Sequence, residues 1–82
     1  MMTTPRAKIN LNRLTLPQRR YLVRLHESGG VFSNDKDLNW MVGTREQLIK
    51  RSMVEWITDK DGKPCIRMTA RGQEALRTAA SL

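Results

Sequence analysis

The chain contains a single cysteine, Cys65, so it can form neither an internal disulfide nor a cysteine metal site. It also contains a single histidine, His26, with no carboxylate–nucleophile set around it beyond Glu27. That argues against triad chemistry, and no enzymatic activity and no cofactor are expected. On a strand, Cys65 reads as a small apolar residue rather than a nucleophile. Asn34, Asp35 and Asp37 lack the spacing of a calcium loop. Gly29-Gly30 lacks the flanking pattern of a phosphate loop and reads as a helix end. Aromatic residues are scarce: two Trp, one Tyr and one Phe. They do not interleave with basic residues as single-strand stacking platforms do. No apolar run approaches the roughly 20 residues of a membrane span. The first residues, MMTTPRAKINLNR, lack the apolar stretch of a signal peptide, so a cytoplasmic, nucleoid-associated protein is expected. The last absence is local. Residues 1–24 carry Arg6, Lys8, Arg13, Arg19, Arg20 and Arg24 and no acid.

What is present is charge. The 82 residues carry a net +7, with an isoelectric point near 10.6. One small domain of that balance implies a polyanionic partner or an acidic protein surface. Residues 25–41 are net acidic, with Glu27, Asp35 and Asp37 against Lys36. Residues 59–82 return to a net +2. The basic charge therefore sits at the two ends of the chain.

Residues 1–13 are polar, hold Pro5 and two asparagines, and read as a flexible basic arm. The folded domain is expected over residues 14–82. Thr15-Leu-Pro-Gln18 is a capping box with proline in the first turn, and it opens a helix whose apolar face is Tyr21, Leu22 and Leu25, with Leu14. Ser28-Gly29-Gly30 ends that helix. Val31–Ser33 suits a bridging strand. A second short helix is expected over about 35–41, with Leu38 and Met41 inward. Thr44-Arg-Glu-Gln47 is a second capping box and predicts a third helix over about 45–53. Val54–Thr58 and Cys65–Met68 read as strands joined by the Asp59–Pro64 loop with its Asp-Gly turn signal. Thr69 caps a last helix over about 70–80. Trp40 and Trp56 are expected in core or half-buried packing. The order is helix, short strand, helix, helix, strand, strand, helix.

The stretch Leu48–Ile57, the polar loop after it, and Ile66-Arg-Met-Thr-Ala-Arg-Gly72 resemble the second half of winged helix-turn-helix regulators. The likeness is greatest to the multiple-antibiotic-resistance regulator type, over residues 44–76. Met68-Thr69-Ala-Arg-Gly72 matches the Leu-Thr-x-x-Gly motif that opens that group's last helix, and Ser52-Met53-Val54 stands where Gly-Leu-Val is usual. The resemblance implies an α+β winged helix-turn-helix fold and a transcription regulator that binds double-stranded DNA. The third helix would lie in the major groove and the hairpin on the backbone. The chain departs from that group in a short second helix and in lacking the long helices with which the group dimerises. Ala70, Ala75, Ala79 and Ala80 are nevertheless small enough for close helix contact in a homodimer.

The expected DNA-binding residues follow. Thr44, Arg45, Gln47, Lys50 and Arg51 supply long polar side chains on the third helix, and Arg and Gln can bond guanine and adenine edges bidentately. Lys60, Lys63 and Arg67 would touch phosphates from the hairpin, diluted by Asp59 and Asp61. Arg6, Lys8 and Arg13 would enter a minor groove from the arm. Six phosphate contacts correspond to a log–log salt slope of roughly −5. The rival expectation is a winged-helix adaptor or inhibitor that binds an acidic protein surface. It gains if Arg19, Arg20 and Arg24 form a patch beside an apolar spot. DNA gains if the third helix and hairpin form one continuous positive face.

Overall fold

The computed structural model describes residues 13–80, an α+β arrangement of four helices and a three-stranded antiparallel sheet among the described residues. Helix α1 spans Leu16–Glu27. Its start is the expected capping box. Thr15 Oγ1 accepts from the Gln18 backbone N–H at 3.3 Å, and Gln18 Oε1 accepts from the Thr15 N–H at 3.1 Å. Its end is a Schellman turn. Gly30 N–H bonds the Leu25 carbonyl, Gly29 N–H bonds the His26 carbonyl, and both glycines hold positive φ, at 85° and 90°. The Gly30 carbonyl then accepts from Met68 N–H at 3.0 Å, which ties the helix end to the sheet.

Strand β1, Val31–Phe32, pairs antiparallel with β3, Pro64–Met68, and β3 pairs antiparallel with β2, Val54–Thr58. The order is β1-β3-β2. Between β1 and β2 lie α2, Asp35–Leu38, and α3, Val42–Lys50; α4, Ala70–Ala80, follows β3. The core joins Tyr21, Leu22 and Leu25 of α1 to Phe32, Leu38 and Leu48, and to Met53, Val54, Ile66 and Met68 around the sheet. The Tyr21 ring meets Phe32 edge-on at 5.4 Å and stacks on Trp40 at 5.6 Å.

Three helix boundaries differ from expectation: α3 ends at Lys50 rather than about 53, and the other two share one physical reason. The second helix stops at Leu38 rather than about 41, and the third begins at Val42 rather than after Thr44. Trp40 is held by Tyr21 and Phe32, so the chain must reverse there. Met41 takes a left-handed conformation, φ 49°, and serves as N-cap with no side-chain hydrogen bond. Thr44 therefore sits inside α3, and the Thr44–Gln47 capping box does not form. Met53 packs into the core from the turn after α3, beyond Ser52 at φ 60°.

The last helix begins as Thr69 predicts. Thr69 Oγ1 accepts from Gly72 N–H at 3.0 Å and donates to the Ser52 carbonyl at 2.6 Å. Gly72 lies against the chain at Met53: a Cβ there would stand 2.1 Å from the Met53 carbonyl oxygen.

Tyr21 is fully buried, and its hydroxyl has no hydrogen-bond partner among the described residues. Burial pushes its pKa up to about 12; Arg45 acts against that shift, while Asp37 and Glu46 add to it. A folded pKa above the unfolded value near 10 stabilises fully below pH 10, and that contribution is lost as pH rises toward 12. Tyr21→Phe is expected to melt within about 1 kcal/mol of wild type at pH 7, since it removes a hydroxyl that bonds nothing. It is also expected to abolish part of the alkaline loss of stability between pH 10 and 12. A Tyr21→Phe variant whose alkaline melting curve overlays wild type would contradict this.

Candidate nucleic-acid interface

Helix α3 turns Leu48 into the core and half-buries Thr44, Arg45 and Ile49. Gly43, Glu46, Gln47 and Lys50 are exposed, a spacing of three and four residues that places them on one face. This face is the exposed polar surface of α3.

The structure sorts the expected contacts into three groups. Gln47 and Lys50 stand on the exposed face of α3, and Lys60 and Lys63 are exposed at the hairpin tip. The tip is organised by Asp59, whose carboxylate accepts from the Asp61 and Lys63 backbone N–H groups at 2.8 and 2.9 Å. An acid that seemed to dilute the hairpin's charge is thus the residue that shapes the turn. Lys50, Lys60 and Lys63 form no ion pair among the described residues.

The second group is engaged within the fold. Arg45 points back from α3. Its Nη1 donates to the Leu38 carbonyl at 2.7 Å, its Nε and Nη2 reach Glu46 Oε2 at 3.2 and 3.0 Å, and its guanidinium lies 4.9 Å over the Trp56 ring. With its side chain only 12% exposed, it braces α3 against α2 and β2. The Leu38 carbonyl is at the C-terminal end of α2, where a cation is favoured. Arg51 donates to Gln18 Oε1 at 2.7 Å, and Gln18 Nε2 donates to Gln47 Oε1 at 3.1 Å. Gln18 is the one buried polar residue among the described residues, and it locks α1 to α3. Arg67 pairs with Glu55 opposite it on β2, Nε to Oε2 at 3.0 Å. Thr44 is half-buried. The third group is the arm: Arg13 is exposed, and Arg6 and Lys8 lie outside the described residues.

Two features were missed in the sequence. Glu46 is exposed beside Gln47 and can accept a hydrogen bond, as a cytosine amino group requires. Trp56, expected in half-buried or core packing, is 45% exposed. Val54 and Trp56 share one face of β2, but the core ends at Val54. Trp56 runs past it and meets Arg45 instead. Trp40 is half-buried, as expected.

His26 is exposed on α1, and Cys65 is buried with its Sγ 3.7 Å from the Lys63 carbonyl. Among the described residues no helix is long and apolar enough to cross a membrane. Compared with known proteins, the chain matches no family model, no curated protein and no solved structure.

Proposed function

We propose that this chain is a winged helix-turn-helix protein that binds double-stranded DNA and acts as a transcription regulator. The observation that carries the reading is the surface chemistry of α3 within its place in the chain. The helix is the third among the described residues, stands immediately before a hairpin, and presents Glu46, Gln47 and Lys50 outward, while the hairpin presents Lys60 and Lys63. The pairing of β1 with β3 beside that hairpin and the net charge of +7 support it.

In this reading α3 lies in the major groove. Gln47 pairs with an adenine edge through its free amide hydrogens, Glu46 accepts from a cytosine amino group, and Lys50 donates to guanine. Gly43, with no side chain on the exposed face, lets the helix backbone approach a phosphate. Lys60 and Lys63 contact the backbone, with Arg13 from the arm as a further cation. Arg45 and Arg51 hold the reading helix in place and do not read bases.

The test is binding to a labelled random-sequence duplex, followed by anisotropy across a salt series. Wild type is compared with Gln47→Ala/Lys50→Ala/Lys60→Ala/Lys63→Ala. All four positions are exposed, but Gln47→Ala also removes the acceptor for the buried Gln18 amide, so Lys50→Ala/Lys60→Ala/Lys63→Ala, which keeps that bond, is measured beside it. Losing the two phosphate contacts of Lys60 and Lys63 is expected to reduce the log–log salt slope by about 1.8, at about 0.9 per contact, and the four changes together to weaken binding by about tenfold or more at low salt. An unchanged slope and affinity would overturn the reading.

A further inference from the structure

A second charged surface lies on α1, away from α3. Helix α1 turns Gln18, Tyr21, Leu22 and Leu25 inward, and α3 is joined to that inner side through Gln18. The outer side carries Leu16, Arg19, Arg20 and Val23, with Leu16 62% and Val23 37% exposed. With Arg24, Glu27 and Trp40 they line an open groove of about 380 Å³. No residue of α3 or of the hairpin lines it.

We infer that this groove is a docking site for a short acidic peptide segment of a partner protein, one that carries a bulky apolar residue between carboxylates. The argument is charge complementarity over an apolar floor. Arg19 and Arg20 make no ion pair among the described residues. Arg24 is already fixed: its guanidinium lies 4.9 Å over Trp40, and its Nη2 is 3.3 Å from Asp37 Oδ1. Arg20 and Arg24 are one helical turn apart and repel one another, and a carboxylate between them relieves that repulsion. Leu16, Val23 and the Trp40 ring offer apolar area next to these cations. Tryptophan and arginine together are the residues that anchor protein interfaces. A duplex supplies anions but keeps its apolar groups, such as thymine methyls, on base edges within the grooves, whereas an acidic peptide supplies a protruding apolar side chain beside its carboxylates. The arm of this chain is no substitute, because residues 1–13 contain no acid.

The probe is a fluorescein-labelled synthetic peptide with a central leucine-phenylalanine pair flanked on both sides by glutamates; its control has glutamines in place of the glutamates. The full chain is expected to bind the glutamate peptide about tenfold more tightly than the glutamine peptide. Arg19→Glu/Arg20→Glu and Leu16→Ser/Val23→Ser, all at exposed positions, are each expected to weaken that binding by about tenfold. Leu16→Ser/Val23→Ser leaves the net charge unchanged, so its duplex binding stays at the wild-type level. The Gln47→Ala/Lys50→Ala/Lys60→Ala/Lys63→Ala variant binds the peptide like wild type. Because the peptide titration contains no DNA, it stands or falls separately from the DNA reading. Equal binding of the two peptides overturns the inference. So does wild-type peptide affinity in both groove variants, or displacement of the peptide by unlabelled duplex, which would make the groove a nucleic-acid surface.

Discussion

Gly72→Ala is expected to cost about 3 kcal/mol or more and to lower the melting temperature by roughly 12–24 °C. The added Cβ would stand 2.1 Å from the Met53 carbonyl oxygen and 2.9 Å from Met68 Cγ. The methionine side chain can move, but the carbonyl cannot do so freely. It accepts the Thr69 N–H at 3.0 Å, and the neighbouring Ser52 carbonyl accepts the Thr69 hydroxyl. Relieving the clash means separating α4 from the turn before β2 and giving up one or both bonds, at about 1 kcal/mol each. A domain of this size holds only about 5 kcal/mol in total, so most of its stability is at stake. Gly43→Ala is the matched control. Nothing lies within 4 Å of a Cβ there, and the position is helical, so a gain of about 0.5–1 kcal/mol is expected. Thermal melts followed by circular dichroism separate the two. Equal melting temperatures for Gly72→Ala and wild type would show that α4 does not approach Met53 as described.

Arg45→Ala is expected to lose about 2–4 kcal/mol without altering which bases are preferred. Removing the side chain leaves the Leu38 carbonyl without its charged donor, worth about 1.5–3 kcal/mol, and removes the stacking on Trp56, worth about 0.5–1 kcal/mol. The exposed pairing with Glu46 adds little. Arg45→Lys is expected to recover less than half, because an ammonium cannot reach the Leu38 carbonyl, Glu46 and the Trp56 face as one planar fork. Melts of the three proteins, with site selection from a random duplex pool below the lowest melting temperature, provide the check. An Arg45→Ala variant that melts like wild type yet loses its base preference would make Arg45 a DNA contact rather than a brace.

Local chemistry in the sequence was enough to place most of the elements. The Thr15–Gln18 capping box with Pro17, the 21-22-25 apolar spacing, the Gly29-Gly30 stop, the two strands around an Asp-Gly loop and the Thr69 start all depend on neighbours within a few residues. The start of α3 was not legible, because Trp40 packs on Tyr21 and Phe32, residues distant in sequence, and that packing fixes the turn at Met41. The same holds within the candidate site. Lys50 and Gln47 lie on the exposed face, as their spacing allows. The direction of Arg45 depended on a carbonyl in α2 and a ring in β2. Arg51 depended on Gln18, 33 positions away. Glu46 stands four residues before Lys50, a spacing that suits a helix ion pair, but it bonds Arg45 and leaves Lys50 exposed. Gly72 entered through a motif resemblance, and the physical reason for a glycine there is the carbonyl of Met53.

The most direct test of the DNA reading is a titration of the isotope-labelled full chain with a short random-sequence duplex, followed residue by residue through its backbone amide resonances. The account predicts that shifts concentrate at Gly43–Lys50 and at Lys60–Lys63, diminish with added salt, and leave Leu16, Arg19, Arg20 and Val23 nearly unmoved. Shifts confined to those four residues and Trp40, or no shifts at low salt despite a net charge of +7, would contradict it.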